Sequence, residues 1–195
     1  MTSIVAANRR DRKKASTRKS IVAAALDLFE ASGYDNVTVD QIAEQSDVSP
    51  RTLYRYFPTK SAIVFEVQAS WMAVFAKVAG HPEPGDELLA HMRRIAASIA
   101  AHVVNDPASA RRVYAIVQDS IELQALSIQW ERDWRTVTAT VLAVMGRDRA
   151  EVVAGIVMGM ISANLGLWLR NDDQTDLVRM ISDGFDLIES GLAPR

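Results

Sequence analysis

The sequence contains no cysteine, and this absence excludes disulfide bonds and thiolate metal ligands. Glycine and proline are sparse, with nine and six among 195 residues, so tight turns are few. No segment alternates polar and apolar residues between hairpin turns, whereas runs such as VAAALDLFEAS place apolar residues at helical spacing. We therefore predict an all-α protein, built either as one compact unit or as a small module joined to a larger one.

Histidine is also scarce, with three in the chain, and this limits metal binding and catalysis. His91 and His102 are eleven residues apart, about 16 Å along one helix, so they cannot share a metal ion. Glu87 and His91 have i, i+4 spacing, but two ligands make a weak site. No glycine-rich phosphate loop is present. We therefore predict no enzymatic activity, no metal and no cofactor.

The longest uncharged run is residues 152–169, which is at the lower limit of length for a membrane span. Three glycines, Ser162 and Asn164 interrupt it. A helix that is apolar on all sides is also typical of a helix buried on all sides in a soluble protein. We predict such a buried helix in a cytoplasmic protein that has no membrane partner.

Charge is distributed unevenly along the chain, although the net charge is only −2. Residues 1–60 hold ten basic and seven acidic side chains, net +3, whereas residues 61–195 hold twelve and seventeen, net −5. Seven of the basic residues lie between residues 9 and 19. This asymmetry indicates a polyanionic partner for the N-terminal end. We predict a basic flexible arm over residues 1–16. A solvated tail that binds no partner would explain its basic residues equally well.

The chain after this arm is predicted to form three helices. The first spans residues 17–32 and ends at Gly33, where glycine can take a left-handed conformation. The second spans residues 39–45, and the third begins at Pro50.

The starts of the second and third helices have specific capping signals. Thr38 and Gln41 have the spacing of a capping box. Ser49 is a favourable N-cap, and Pro50 follows it at the first helical position, where its missing N–H is not needed. Only the turn 46–48 separates the two helices, so this segment is a helix-turn-helix.

The third helix has a buried and an exposed face at about 100° per residue. Leu53 and Phe57 share the buried face. The opposite face carries Arg51, Thr52 and Arg55 between Tyr54 and Tyr56. Arginine can read guanine in the major groove, and hydroxyl groups can bind phosphate oxygens. Lys60 begins the next helix, where an ammonium and backbone amides can hold a phosphate together. We therefore predict binding to double-stranded DNA.

The segment TVDQIAEQSDVSPRTLYRYFPTKSAIV resembles the DNA-binding signature of the TetR/AcrR family of bacterial transcriptional regulators. The resemblance covers roughly residues 17–66, and TLYRYFPTK keeps the family's spacing of Tyr54, Phe57 and Lys60. Asp47 stands where many members have glycine, but aspartate tolerates the left-handed conformation moderately well. The resemblance and the exposed face together predict base contacts at Pro50, Arg51, Tyr54 and Arg55. Backbone contacts are predicted at Thr38, Ser49, Thr52, Tyr56 and Lys60.

The resemblance also implies the architecture and the mode of action. We predict a helix-turn-helix domain over residues 17–58 and an effector-binding and dimerisation domain over residues 59–195. The second domain should contain six helices, near residues 59–79, 86–104, 107–119, 122–145, 148–170 and 175–191. The implied function is a repressor that a small apolar or amphipathic effector releases from a palindromic operator. The alternative is an architectural DNA-binding protein without an effector.

The last two predicted helices have the pattern of a homodimer interface, since a single recognition helix reads too few bases. Small residues recur every four positions in one helix, and apolar residues recur at 3–4 spacing in the other. The predicted interface residues are Gly155, Gly159, Ala163, Leu177, Ile181, Phe185 and Ile188. The alternative is that these faces pack only within their own helical bundle.

Aromatic and apolar side chains, mixed with a few polar groups, suggest an effector pocket between the helices of the second domain. The alternative is that each of these residues packs in the hydrophobic core and lines no pocket. The C-terminal half, with ERDW and the apolar helix after it, resembles regulators of the mycofactocin type, which implies an acyl-CoA-like effector. The predicted pocket residues are Trp71, Phe75, Met92, Ile95, Ile99, His102, Tyr114, Gln118, Trp130, Trp134, Asn164 and Trp168.

Overall fold

A computed structural model describes residues 2–79, 81, 87–144, 150–171 and 175–191. Within these ranges the chain forms ten α-helices and a short 3-10 turn, Tyr34–Asn36, and it contains no strand. The all-α prediction is confirmed. The helices are α1 Thr2–Ser32, α2 Val39–Gln45, α3 Pro50–Tyr56, α4 Lys60–Val64, α5 Glu66–Ala79, α6 Leu88–Val103, α7 Pro107–Gln118, α8 Ile121–Val144, α9 Ala150–Arg170 and α10 Leu177–Glu189.

The predicted start of the first helix at Thr17 is wrong, because α1 already begins at Thr2. Thr17 does not cap a helix there. Its hydroxyl donates to the carbonyl of Lys13, one turn earlier in the same helix, at 3.0 Å. The segment that was predicted to be an arm therefore continues α1 as helix.

The helix predicted over residues 59–79 is two helices, which makes seven described helices after α3 instead of six. The break is at Phe65, which leaves the helical conformation with φ −81° and ψ 4°. Its ring is buried and stacks on Trp130 of α8. Tertiary packing explains the break, because no glycine or proline marks this position in the sequence.

Two hydrophobic cores organise the molecule, and α7 contributes to both. The first core joins α1–α4 through residues such as Ile21, Leu53 and Phe57, and it includes Val113 of α7. The second core lies among α5–α10 and includes Ala110 of α7. Burying one such large side chain contributes about 1.5–3 kcal/mol. The DNA-binding helices are therefore joined to α7 through α1 and are not an isolated module.

The helix α9 is not buried on all sides, so that prediction is wrong. By length and composition alone it could cross a membrane, but core helices of soluble proteins meet the same criterion. Only 17% of its apolar window is buried in the chain. Val152, Ile156 and Leu167 are 58%, 52% and 47% exposed. With Gly159 and Ala163 they form the α9 stripe, an apolar surface that nothing in the described chain covers.

Three residues of α10 that were predicted at a dimer interface belong to the chain's own core. Leu177, Ile181 and Phe185 are at most 2% exposed, so they cannot contact a second copy, and the interface prediction is wrong for them. The α10 backbone lies close to α9, because a Cβ added to Gly184 would be 2.5 Å from the sulfur of Met160. Close packing on α9 therefore turns the main apolar face of α10 inward.

Candidate DNA-binding surface and ligand cavity

The helix-turn-helix is held by its predicted caps. The Thr38 hydroxyl accepts from the Gln41 amide at 3.3 Å, and the Thr38 amide donates to the Gln41 side chain at 2.8 Å. The Ser49 hydroxyl accepts from the Thr52 amide at 3.2 Å, which fixes the start of α3. Asp47 takes a positive φ of 53° in the turn between the helices, as its position requires. The local geometry therefore follows the predicted pattern.

The α3 helix presents its arginines to solvent. Leu53 and Phe57 are buried beneath it, at 0% and 1% exposure. The exposed side chains of the predicted base-contact set are Pro50, Arg51, Tyr54 and Arg55. Thr52 and Tyr56 are half-buried, and Thr38 and Ser49 are exposed at the helix starts. The surface thus combines two guanidinium groups with hydroxyl groups, which suits a nucleic-acid duplex.

Lys60, which is predicted to contact a DNA phosphate, is half-buried and is engaged by backbone carbonyls of its own chain. Its ammonium donates to the carbonyl oxygens of Tyr34 and Val37, at 2.8 and 3.0 Å. It also lies 4.0 Å from the centroid of the Tyr34 ring. These carbonyl groups follow the end of α1, and the Tyr34 carbonyl also accepts from the Val37 amide at 3.3 Å. Lys60 therefore fastens the 3-10 turn to the start of α4.

A basic residue of the N-terminal cluster also has a structural role. Arg18 on α1 forms a two-point ion pair with Glu66 on α5 and donates to the Tyr56 carbonyl at 3.2 Å. Its guanidinium lies 4.4 Å from the centroid of the Phe57 ring. The hydrogen bonds to Glu66 raise the pKa of Arg18. Arg18 therefore ties α1 and the end of α3 to the first turn of α5.

A second ion-pair cluster ties α1 to α7. The Arg112 guanidinium donates to Asp27 at 2.6 Å and to Glu30 at 2.7 and 2.8 Å, and these bonds raise the pKa of Arg112. Nearby, the Tyr34 hydroxyl donates to Glu122 on α8 at 3.2 Å. Burial, together with the Glu122 carboxylate, raises the pKa of Tyr34 above its usual value. The DNA-binding helices are therefore tied to α5, α7 and α8.

Between α5, α6, α7, α8 and α9 lies a cavity of about 260 Å³. Nine of the twelve predicted pocket residues line it. They are Trp71, Phe75, Met92, Ile95, Ile99, Tyr114, Gln118, Trp130 and Trp134. Phe75 and Trp134 meet edge to face with centroids 5.4 Å apart, so part of the wall is a packed aromatic pair.

Three predicted pocket residues lie outside the cavity wall and are corrected. His102 pairs through Nε2 with the Ser70 hydroxyl at 3.0 Å. Asn164 donates to the Met160 carbonyl at 3.0 Å, next to the close approach of α10. Trp168 is buried, and its Nε1 donates to the Thr175 carbonyl at 2.9 Å. Each side chain is occupied by packing between neighbouring elements.

Sequence reasoning missed wall residues on every helix around the cavity, including the whole of the α9 wall. Phe65 and Gln68 could have been found, because they lie six and three residues before Trp71, at helical spacing. The wall residues of α9 could not have been found from the sequence, because that helix is apolar on all sides and its periodicity indicates no preferred face. The missed residues are Phe65, Gln68, Ala96, Ala110, Val117, Ser127, Glu131, Thr138, Met158, Ile161, Ser162, Leu165, Gly166 and Leu169.

A helix-turn-helix with an exposed basic helix, tied to a larger helical domain that contains an apolar cavity, is the arrangement of a DNA-binding protein. Among the described residues there is no group of three or more potential metal ligands. The model of bacterial regulatory proteins of the tetR family matches residues 21–67, and the model of the MftR C-terminal domain matches residues 86–193. The chain belongs to the tetR family, with an MftR-type C-terminal domain, and is a transcriptional regulator and not an enzyme.

Individual relatives agree with this assignment. The chain is 25% identical over 186 residues, 93% of each chain, to MftR of Mycobacterium tuberculosis, a transcriptional regulator assigned to mycofactocin biosynthesis. A TetR-family regulator structure from Syntrophomonas wolfei covers 92% of this chain and 98% of its own, with TM-score 0.72 and 16% identity. Bacillus subtilis FadR in complex with stearoyl-CoA covers 90% and 99%, with TM-score 0.66 and 18% identity. These two structures share the fold with this chain.

Proposed function

We propose that the protein is a cytoplasmic, homodimeric repressor that leaves a palindromic operator when a small apolar or amphipathic molecule fills the cavity. One observation carries this proposal: the helices that line the cavity also hold the DNA-binding helices. Glu66, which pairs with Arg18, is two residues before the wall residue Gln68 on α5. Arg112, which pairs with Asp27, lies between the wall residues Ala110 and Tyr114 on α7.

A ligand can act through these ties if it favours one arrangement of α5 and α7 over another. It shifts the equilibrium only by its difference in affinity between the two arrangements. A ligand that separates α5 from α7 changes the position of α1, because Arg18 and Arg112 hold α1 to each of them. In a dimer, such a movement changes the spacing between the two α3 helices and weakens DNA binding.

The α9 stripe supports the homodimer. It is apolar, continuous and exposed, and an added Cβ at Gly159 would meet nothing within 4 Å in the chain, so a partner backbone has room there. We propose the α9 stripe, Gly155 and the half-buried Ile188 as the interface. Twofold symmetry places two α3 helices on successive half-sites of a palindrome. In this proposal a second copy covers the stripe, and no membrane is involved.

For DNA we propose base contacts from Pro50, Arg51, Tyr54 and Arg55. Arginine can bind guanine with two parallel hydrogen bonds in the major groove. The proposed contacts to the sugar–phosphate backbone are Thr38, Ser49, Thr52 and Tyr56.

An acyl-CoA-like effector is the class that we propose for the cavity. The wall is largely apolar, with aromatic rings from α5 and α8, and this suits an acyl chain. FadR of Bacillus subtilis and of Thermus thermophilus, which share the fold, have been crystallised with stearoyl-CoA and lauroyl-CoA. These two thioesters are therefore the first compounds to test.

The proposal is tested by selecting bound DNA from a random pool and then titrating the selected site with lauroyl-CoA and stearoyl-CoA. We expect a symmetric site with half-sites about one or more helical turns apart, and release of DNA by an acyl-CoA. Linkage requires the operator to weaken ligand binding by the same factor. Recovery of DNA without symmetry, together with no response to any apolar compound, would instead identify an architectural DNA-binding protein.

A further inference from the structure

One polar atom in the cavity wall has no hydrogen-bond partner. The Oε1 atom of Gln68 is buried, and nothing in the described part of the chain donates to it. Gln68 lies on α5 between Phe65 and Trp71, which are also wall residues. A buried acceptor without a donor destabilises a protein, so such atoms are rare and need an explanation.

Within the described part of the chain, the cavity wall around Gln68 has no cationic side chain of its own, and the Arg170 guanidinium that adjoins the wall donates to the Tyr114 hydroxyl at 3.1 Å. Among the described residues that line the cavity, none is a lysine, an arginine or a histidine. The one carboxylate in this set, Glu131, is on an exposed residue and accepts from the Ser162 hydroxyl at 3.2 Å. An anionic group that reached Gln68 would therefore lose its hydration with no cationic wall residue to pair with, which is unfavourable.

We propose that Gln68 is the specificity-determining residue of the cavity, and that its carboxamide oxygen accepts a hydrogen bond from an uncharged donor on the ligand. A hydroxyl group or an amide N–H satisfies the orphan acceptor while the apolar remainder of the ligand lies against the aromatic wall. The site beside Gln68 does not bind a free carboxylate group. The inference rests on the proposed function, because it names the chemistry that the effector site selects.

The position of Gln68 also connects recognition to regulation. Glu66, on the same helix and two residues away, holds Arg18 of α1. A ligand hydrogen-bonded to Gln68 is therefore attached to the helix that holds the DNA-binding domain. An apolar ligand without a donor fills the same cavity without this attachment.

Two isomeric probes isolate the hydrogen bond. 1-Decanol and methyl nonyl ether contain the same atoms, but only the alcohol can donate. Both are titrated into the full-length protein and followed by tryptophan emission, since Trp71, Trp130 and Trp134 line the cavity. We expect the alcohol to bind about three- to tenfold more tightly than the ether, the effect of one hydrogen bond. Decanoate at neutral pH should bind more weakly than decanol.

Two variants test whether Gln68 is the acceptor. Gln68→Leu and Gln68→Met keep a side chain of similar size without the amide, and each should bring the alcohol-to-ether ratio close to one while ether affinity is retained. The matched control is Gln129→Leu on the exposed side of α8, where the amide only donates to Asp133, and its ratio should equal that of the wild type. Because two substitutions are used, a folding defect in one does not remove the test.

The outcomes separate this inference from the proposed function. If 1-decanol, methyl nonyl ether, decanoate and the acyl-CoAs all fail to bind, the effector function itself is overturned. If the probes bind but the alcohol has no advantage over the ether, the inference alone is overturned. The same holds if the advantage survives in both Gln68 variants, or if decanoate binds as tightly as decanol.

Discussion

Phe65 stacks on Trp130 with ring centroids 5.8 Å apart and ring planes 20° from parallel. The two rings line the ligand cavity, and they also line a second cleft that contains Arg18 and Glu66. The stack is therefore a wall shared by the ligand site and the contact that holds α1. Since Phe65 is also the break between α4 and α5, a ligand that displaces the Trp130 ring acts on both helices.

Phe65→Leu should uncouple ligand binding from DNA binding. The smaller side chain keeps the core apolar but removes the stack, so the effector and the operator should each still bind. The factor by which one weakens the other should fall from the usual 5–150-fold range toward about one. The measurement is operator affinity with and without saturating effector. Phe75→Leu is the control, because Phe75 lines the cavity but not the second cleft. Equal loss of coupling in both variants would show that the stack has no special role.

Arg51→Ala should reduce both affinity and base preference. The exposed guanidinium is proposed to read one base in each half-site, so its loss should cost about 1–3 kcal/mol on the best site. Preference at that one position should relax while the rest of the site is unchanged, as measured by repeated selection from a random DNA pool. Arg132→Ala, an exposed arginine on α8, is the control and should change neither quantity. An unchanged base preference in Arg51→Ala would assign this residue to the DNA backbone.

Lys60→Met should act on folding more than on DNA. The substitution removes two charge-assisted hydrogen bonds to backbone carbonyls while it keeps the aliphatic stem over Tyr34. We expect the free energy of unfolding to fall by about 1–3 kcal/mol, measured by denaturant titration. The salt dependence of DNA binding should stay the same, because the ammonium is engaged by the carbonyls of Tyr34 and Val37. A salt slope that falls by about one per subunit, with stability unchanged, would restore the role of phosphate clamp.

Ala163→Arg should prevent self-association. It places a charge in the middle of the α9 stripe, where the proposed partner helix packs. Since Ala163 is exposed in the chain, the fold of each subunit should remain intact by circular dichroism. Sedimentation should then show a monomer with weakened operator binding. Ala101→Arg, the same change at an exposed site of α6, should leave assembly unaltered. A stable dimer in Ala163→Arg would remove the stripe from the interface.

The DNA-binding segment could be predicted in detail because its signals are local. Thr38 and Ser49 each cap a helix through atoms three residues away, and Asp47 takes its positive φ in the turn between these helices. The buried face of α3 could be predicted from the helical period alone, because Leu53 and Phe57 are one turn apart. The hydrogen bonds of Lys60 could not be predicted in this way, because its partners Tyr34 and Val37 are 26 and 23 residues away in the sequence.

The sequence by itself determined the all-α class, the helix-turn-helix and most of the aromatic cavity wall, because periodicity and capping are short-range properties. Only the tertiary structure decided which apolar face turns inward. Leu177 and Phe185 are buried while Val152 and Ile156 are exposed, although both pairs lie on apolar helix faces. Burial depends on which helices meet, and the energy per unit of apolar area is the same on either face. The orphan oxygen of Gln68 likewise exists only once five helices enclose the cavity.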